Sequence, residues 1–295
     1  MDRADLRVFE AVARLGGMSR AAAELNTVQS NVTARIRLLE QELGVVLFER
    51  HSRGVTLSAA GRRLLPYAAS VRQLFEEARR AVQDDGTPRG PLVVGTLETT
   101  AALRLAPQLA VFVAAFPVVD LALRTGTTRE LTRSVLERRL EGALVCGPVD
   151  HPELVQEVVF HEELAILAAP GAPDLDGLAA RGALRIVVLR AGCSYRQRLE
   201  DLLARRGIVV TRLLEFGTLE AIFGCVAAGL GITLLPQSLV GPVWQHGRVA
   251  VHRLAPAEAL VETLFIRRRD ALVSSALAAF LRHIRPAGAA AEAAD

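Results

Sequence analysis

The first 85 residues place apolar side chains at the spacing of amphipathic helices. One apolar stripe begins at Leu6 and stops before Gly16, a residue type that commonly closes a helix. A short helix over 20–25 follows, with Ser19 as its predicted N-cap. A tight turn then leads into a third stripe that ends before Gly44, with members Val28, Val32, Ile36, Leu39 and Leu43. This pattern predicts a helix-turn-helix.

Two short β-like segments, 47–50 and 55–57, come directly after the third predicted helix, and we interpret them as a wing. Ser58 is expected to cap a long helix that runs to about residue 82. Pro66 is expected to bend it or remove one of its hydrogen bonds. Its apolar residues have no partner in so small a domain, so we expect the helix to pack against a second chain.

From residue 92 onward short apolar runs alternate with helical patterns, which is typical of an α/β fold with a mostly parallel sheet. A polar segment at 161–163 suggests two lobes, with the last helix returning to the first lobe. The predicted strands are 92–96, 118–123, 143–146, 164–168, 186–189, 209–216, 232–235 and 261–266, and the predicted helices 99–115, 129–139, 195–206, 219–228 and 272–284.

The predicted organisation is therefore α plus α/β, with three parts. Residues 1–58 form a winged helix-turn-helix, and 59–90 form a linker or dimerisation helix with a hinge. The domain 91–295 has a first lobe of about 91–161 with 267–286, and a second lobe of about 162–266.

Charge favours nucleic-acid binding by the first part of the chain. The 295 residues have a formal net charge of only +3, but residues 1–90 hold 14 arginines and 11 acidic residues, which is the entire excess. Three separated cysteines do not suggest a secreted disulfide framework. No signal-type or membrane-spanning segment is predicted, so we expect a cytoplasmic protein without a membrane partner.

The polar face of the third helix is the strongest candidate for chemistry. Opposite its apolar stripe lie Ser30, Thr33, Ala34, Arg37 and Gln41, with Gln29 at the edge of this face near the helix start. Recognition helices place such side chains on base edges, where Gln suits adenine and Arg suits guanine. The alternative is that these are ordinary solvated positions. The turn, the wing and the local positive charge together favour base reading.

This part of the sequence resembles the LysR-type transcriptional regulators. The matching segments include Ser19-Arg20-Ala21-Ala22, Val28-Gln29-Ser30-Asn31-Val32-Thr33-Ala34-Arg35-Ile36, Glu42-Leu43-Gly44-Val45 and Arg53-Gly54-Val55-Thr56-Leu57-Ser58. The resemblance implies base reading by Gln29, Ser30 and Thr33, and phosphate contacts by Ser19, Arg20, Arg50 and Arg53.

The chain departs from the family pattern at three positions of the third helix. Val28 stands where the family usually has Ser, Ser30 where it often has Pro, and Ala34 where it often has a basic residue. We therefore expect the cap to move to Asn26 or Thr27.

The resemblance also implies an architecture and a set of partners. The C-terminal part is expected to be a two-lobed effector-binding domain like the periplasmic binding proteins. The implied partners are double-stranded promoter DNA, a small-molecule effector, further copies of the chain in a dimer and a tetramer, and RNA polymerase. No cofactor is implied.

Ligands of open α/β sheets bind outside the carboxyl ends of the strands. This rule selects a set of predicted effector residues: Glu98, Thr99, Thr100, Thr125, Thr127, Cys146, Gly147, Cys193, Ser194, Phe216 and Thr218. Hydroxyls at helix starts suit an anion, although simple helix capping explains any one of them. Glu98 would oppose a purely anionic ligand if it points inward.

Other functions have weaker support in the sequence. Cys193, with Arg196 and Arg198 nearby, is compatible with a low thiol pKa and a redox-responsive regulator. A solute-binding protein or an α/β enzyme with a helical accessory domain is the competing class. The six histidines lack metal-ligand spacing and no catalytic motif is present, so neither a metal site nor an enzyme is predicted.

Overall fold

A computed structural model of the protein describes residues 1–51, 54–180 and 184–285. The chain divides into two units, of which the first holds residues 1–84 with 137–139. The second holds the remaining residues from 85 onward.

The first unit is a winged helix-turn-helix followed by a long helix. Its elements are α1 (Arg3–Leu15), α2 (Met18–Glu24), α3 (Gln29–Leu43), β1 (Phe48–His51), β2 (Gly54–Leu57) and α4 (Ala59–Gln83). The predicted stripes form its core, in which Phe9, Val12, Ile36 and Leu39 are fully buried. Gly16 and Gly44 close α1 and α3 in the left-handed conformation, so the predicted helix ends are confirmed.

Two expected caps in the turn are wrong. Helix α2 starts before Ser19, with Gly17 as its N-cap, so Ser19 lies inside the first turn. Val28 is the N-cap of α3, which has no side-chain cap hydrogen bond. The hydroxyl of Thr27 instead accepts a hydrogen bond from the side chain of Asn31, and Asn26 adopts a φ of +52°. The Thr27 hydroxyl is therefore engaged by Asn31, and neither Asn26 nor Thr27 caps the free N–H groups of α3.

Helix α4 begins as predicted, because Ser58 Oγ accepts the N–H of Gly61 at 3.0 Å. Pro66 lies inside the helix, and the hydroxyl of Ser70 donates to its carbonyl oxygen at 2.9 Å. Several large apolar side chains of α4 are exposed in the single chain, namely Tyr67, Leu74, Phe75 and Val82. The predicted packing of this helix against a second chain stays a prediction. Among the described residues, no helix combines the length and apolar character needed to cross a bilayer.

The second unit alternates strands and helices. Its elements are β3 (Gly90–Thr96), α5 (Glu98–Thr100), a π-helical turn (Ala101–Leu105), α6 (Ala106–Ala115), β4 (Val119–Thr125), α7 (Thr128–Leu136), β5 (Gly142–Cys146), β6 (Leu154–Ala168), α8 (Leu175–Ala180), β7 (Leu184–Leu189), α9 (Ser194–Arg205), β8 (Val210–Phe216), α10 (Leu219–Ala227), β9 (Thr233–Pro236), a 3-10 turn (Gln237–Leu239), β10 (Ala250–Arg253), α11 (Pro256–Ala259), β11 (Leu260–Arg268) and α12 (Ser275–Ile284).

The larger sheet of this unit is mixed rather than mostly parallel, and β7 and β8 form a separate parallel pair. Its strand order is β10-β6-β11-β5-β3-β4, with β9 also paired to β6. Strand β3 runs parallel to β4 and β5, whereas every pairing made by β6 and β11 is antiparallel. The parallel prediction is wrong for the central strands because the chain passes between the lobes on long strands instead of on crossover helices.

Strand β6 connects the two lobes. Its residues 154–163 pair with β11, and its residues 164–168 pair with β9 or β10. The polar segment 161–163 therefore lies within a continuous strand, at the point where the pairing partners of this strand change, and the two lobes are joined there by a strand and not by a loop. The final helix α12 packs against α6, where the Phe280 and Phe112 rings meet edge-on at 5.5 Å between centroids. The predicted return of this helix to the first lobe is confirmed.

Candidate functional site

Helix α3 presents a polar surface next to the helix-turn-helix turn. Gln29, Ser30 and Arg37 are exposed, and Thr33 is half-buried. The hydroxyl of Ser19, at the start of α2, donates to Oε1 of Gln29 at 2.8 Å. Residues predicted to contact phosphate and base thus adjoin each other on one exposed surface.

The wing contacts the C-terminal end of α1 at the carbonyl oxygen of Gly16. The N–H of Val55 and a guanidinium N–H of Arg20 both donate to the carbonyl oxygen of Gly16, each at 3.1 Å. A Cβ on Gly54 would lie 2.7 Å from this oxygen, and the φ of Gly54 is +131°. Only glycine meets both conditions without strain. The backbone of the wing is therefore held tightly against the helices.

The structure describes the side chains of only two of the four residues predicted to contact phosphate. Ser19 and Arg20 are exposed at the start of α2. Arg50 belongs to strand β1, but its side chain is not among those described. Arg53 lies outside the described residues.

Two acidic side chains orient α3. Asp5 of α1 accepts a hydrogen bond from Arg35 at 2.8 Å, so the charge of Arg35 is directed toward α1. Glu40 Oε1 accepts the backbone N–H groups of Leu47 at 2.7 Å and Phe48 at 3.2 Å. Through Glu40, helix α3 and the first wing strand are held together.

In the second unit, a cavity of about 310 Å³ lies at the carboxyl ends of β3, β4 and β7. Six of the predicted effector residues line it, namely Glu98, Thr99, Thr125, Thr127, Cys193 and Thr218. Gly126, Tyr195 and Gly217 complete the same predicted loops. The structure thus brings loops from both lobes together, as the position of ligands in α/β folds suggests.

The remaining predicted effector residues lie elsewhere. Thr100 and Cys146 are buried outside the cavity lining, and Phe216 does not line it either. Gly147 and Ser194 line a different cavity of about 620 Å³ along α9.

Leu97, Leu189 and Arg190 also line the smaller cavity and are not among the effector residues predicted from the sequence. Arg190 directly follows strand β7, so the same strand-end rule selects it once the strand boundary is known.

Several contacts join the two sides of the cleft, among them the backbone hydrogen bond from Arg129 to Gly192 at 3.4 Å. Glu98 Oε1 accepts the backbone N–H of Leu219 at 3.3 Å, and Thr99 Oγ1 lies 3.5 Å from the Tyr195 hydroxyl. A guanidinium N–H of Arg198 donates to the carbonyl oxygen of Gly147 at 2.8 Å. The cleft is therefore bridged in this structure by groups that belong to the predicted ligand loops.

The alternative in which Cys193 has a low pKa is not supported. Burial raises the pKa of this thiol, which is only 7% exposed, and outweighs the N–H groups of α9. Arg196 offers little help because its guanidinium pairs with Glu200 at 2.9 Å and Glu215 at 2.6 Å. Burial likewise raises the pKa of the Tyr195 hydroxyl. Both groups are neutral near pH 7, so the redox-sensor hypothesis loses the thiolate on which it depends.

Glu162, a buried residue, forms an ion pair with the more exposed Arg104 where β6 passes between the lobes. Glu162 is 5% exposed, accepts the Nε–H of Arg104 at 2.8 Å and accepts the hydroxyl of Ser238 at 3.1 Å. Arg104 lies in the π-helical turn, a feature that often occurs near functional sites. In the described ranges, no three His, Cys, Asp or Glu side chains come together as metal ligands.

Comparison with known proteins matches both units to described families. Residues 4–62 match "Bacterial regulatory helix-turn-helix protein, lysR family", and residues 85–289 match "LysR substrate binding domain". The chain is 44% identical over 280 residues to the HTH-type transcriptional regulator GltR of Bacillus subtilis (strain 168), covering 95% of each protein.

Solved structures agree with the sequence relationship. Full-length CbnR complexed with its target DNA is 25% identical, with a TM-score of 0.68, and the match covers 96% of this chain and 99% of that one. A full-length OxyR variant from Pseudomonas aeruginosa, at 21% identity and a TM-score of 0.68, covers 96% of this chain and 94% of that one, and shares the fold. The chain therefore belongs to the LysR family and is a DNA-binding transcriptional regulator with an effector-binding domain.

Proposed function

We propose that α3 reads promoter DNA in the major groove through Gln29, Ser30, Thr33 and Arg37. The observation that carries the proposal is the division of α3 into two faces, since Val32, Ile36 and Leu39 are buried while Gln29, Ser30 and Arg37 are exposed. Side chains of these types bond to base edges. The DNA-bound state of CbnR, a relative of the same fold, supports this role.

Phosphate contacts position the same surface on the duplex. We assign them to Ser19, Arg20, Arg50 and Arg53, from the start of α2 and from the wing. Such contacts are sequence-independent and make binding salt-dependent. The polar contact between Ser19 and Gln29 supports a shared surface for phosphate and base contacts.

The functional assembly is a dimer paired through α4, and two dimers form a tetramer. The exposed Tyr67, Leu74, Phe75 and Val82 support a partner for this helix. A two-fold symmetric dimer presents two recognition helices to two half-sites of an interrupted palindrome. In this proposal residues 1–58 bind DNA, 59–90 link and dimerise, and 91–295 bind effector. The protein acts in the cytoplasm, on promoters served by RNA polymerase.

The effector binds in the 310 Å³ cavity and changes DNA binding without being chemically altered. A ligand shifts an equilibrium between two arrangements only by binding them unequally. The contacts of Glu98 and Thr99 across the cleft are suited to this, because a ligand that enters the cavity competes with them.

The test is fluorescence anisotropy of the full-length protein on its own upstream intergenic DNA and on a scrambled duplex, over a salt series. We expect a preference of about 10³ or more for the natural DNA. Equal affinity for both duplexes at every salt concentration would contradict sequence-specific regulation from that region.

Single variants separate the two kinds of contact. Gln29→Ala is expected to reduce the preference for natural DNA about tenfold or more, with random binding unchanged. Arg50→Ala is expected to weaken both and to lower the salt slope by about 1. Gln41→Ala, exposed on the same helix, is the control. If Gln29→Ala weakens both duplexes equally, the base-reading assignment is wrong.

A further inference from the structure

The smaller cavity carries one side chain of each charge. Glu98 and Arg190 line it together with hydroxyl, thiol, glycine and leucine groups, which are neutral. Because Cys193 and Tyr195 are buried and protonated near pH 7, the lining has no net charge. A ligand with a single charge would satisfy one of the two charged side chains and oppose the other.

Glu98 has unused acceptor capacity toward the cavity. Its Oε1 accepts the N–H of Leu219 at 3.3 Å, a long contact for a carboxylate. In the described ranges no donor reaches its Oε2. The carboxylate is half-buried on the cavity wall, where partial desolvation strengthens its attraction for a cationic donor.

The helices around the cavity differ in whether the N–H groups at their N-termini are already bonded, and this difference indicates where an anion fits. At α7, the carboxylate of Glu130 already accepts the N–H of Thr127 at 2.9 Å. At α10, Thr218 Oγ1 accepts the N–H of Ala221 at 3.3 Å and Glu98 accepts that of Leu219. These two starts are therefore occupied by acceptors of the chain itself.

Helix α9 is different. Its twelve residues begin after Cys193 without a side-chain cap hydrogen bond, and the thiol that faces its N–H groups is a weak acceptor. Arg190 is exposed three residues earlier, and its charge acts on Glu130 without a salt bridge between the two side chains. An exposed guanidinium beside a poorly capped helix start is a suitable place for a carboxylate.

We propose that the effector is a small zwitterion, whose ammonium group binds Glu98 and whose carboxylate binds Arg190 and the start of α9. This inference rests on the proposed function of the cavity. The volume of about 310 Å³ is at the lower end of ligand pockets, which suits a molecule of amino-acid size. Thr99, Thr125 and Thr127 supply hydroxyls for its remaining polar groups.

The probes are the twenty L-amino acids, β-alanine and 4-aminobutyrate, titrated into the full-length protein by isothermal calorimetry. Each binder is then compared with the acid that lacks its amino group and with the amine that lacks its carboxylate. At least one amino acid is expected to bind, and each analogue is expected to bind about tenfold or more weakly, since each loses one charge-assisted contact.

Two variants test the assignment of the two ends. Glu98→Gln keeps an oxygen for the N–H of Leu219 and is expected to weaken the amino acid about tenfold while leaving the acid analogue unchanged or tighter. Arg190→Gln is expected to weaken the amino acid and the acid, but not the amine. Glu220→Gln and Arg185→Gln are matched controls, because both residues are exposed and neither lines the cavity.

The outcomes separate this inference from the proposed function. If an acid without an amino group binds as tightly as the amino acid, or if Glu98→Gln has no effect, the zwitterion assignment is wrong while the cavity stays an effector site. The same holds if no amino acid binds but a small-molecule fraction of the producing cells shifts the DNA-binding midpoint. If neither amino acids nor that fraction changes DNA binding, effector control itself is wrong.

Discussion

Glu40 connects helix α3 to the wing, and its replacement is expected to loosen this connection. The carboxylate accepts two backbone N–H groups, from Leu47 at 2.7 Å and Phe48 at 3.2 Å. Both residues are buried, so water is a poor substitute for the lost acceptor. Each unsatisfied buried N–H costs about 1–3 kcal/mol, so the loss of both contacts in Glu40→Ala is expected to destabilise the wing by about 2–6 kcal/mol.

Glu40→Gln provides a graded comparison. The amide oxygen of Gln still accepts these N–H groups, but without the negative charge that strengthens the contacts. We expect a cost of about 1 kcal/mol. Gln41→Ala is the control, since this neighbouring side chain on α3 is exposed and its loss is expected to change stability by less than about 0.5 kcal/mol.

The measurement is hydrogen exchange of the full-length protein, followed by mass spectrometry of a peptide that covers residues 45–51. A local cost of about 2 kcal/mol corresponds to exchange that is about thirtyfold faster. The expected order of exchange rates is Glu40→Ala, then Glu40→Gln, then Gln41→Ala. If Glu40→Ala exchanges no faster than Gln41→Ala, the Glu40 carboxylate does not hold the wing.

Three further predictions concern the effector domain. Arg104→Met leaves the buried Glu162 with the Ser238 hydroxyl but without its charged partner. It is expected to destabilise this domain by about 1–3 kcal/mol, measured by urea unfolding, because the Arg104 side chain is itself 39% exposed and the pair is partly screened by water. Gly192→Ala places a Cβ 3.0 Å from Thr127 Oγ1 at a φ of +95°, and is expected to cost about 1–2 kcal/mol and to weaken effector binding in calorimetry. Burial raises the pKa of the Cys146 thiol from 9.0 to about 11, so stability is expected to fall as pH rises from 9 through 11, by about 3 kcal/mol, and Cys146→Ala is expected to remove this part of the fall.

Each of these has a result that contradicts it. For the ion pair, Arg285→Met removes the partner of Glu157 in an exposed pair and is expected to cost less than about 1 kcal/mol, so equal losses would refute the role of burial. If Gly192→Ala keeps the stability and the effector affinity of the wild type, the added Cβ causes no strain and the prediction is wrong. The sign of the thiol effect follows because the folded state holds its proton in the window where the unfolded state has lost it. An unchanged pH profile in Cys146→Ala would refute it.

The helix-turn-helix could be predicted from the sequence because its signals are local. The buried stripe of Val32, Ile36 and Leu39 repeats at helical spacing, and Gly16 and Gly44 end helices where their neighbours in sequence require it. The same applies to the loops of the cavity, since each follows a strand that its own apolar run predicts. Helix positions and helix ends depend on residues three or four positions apart and can therefore be predicted from the sequence.

Features that depend on contacts between residues far apart in the sequence could not be predicted from it. Residues 154–163 pair with β11, whose residues lie about 100 positions further along the chain, and no local signal marks that pairing. The contact of Glu98 with Leu219 joins residues 121 positions apart, and the burial that raises the pKa of Cys193 comes from packing of the whole lobe. The charge pattern of the cavity, with Arg190 facing the same space as Glu98, exists only after folding brings these strand ends together, because electrostatic complementarity depends on distance in space and not on separation in sequence.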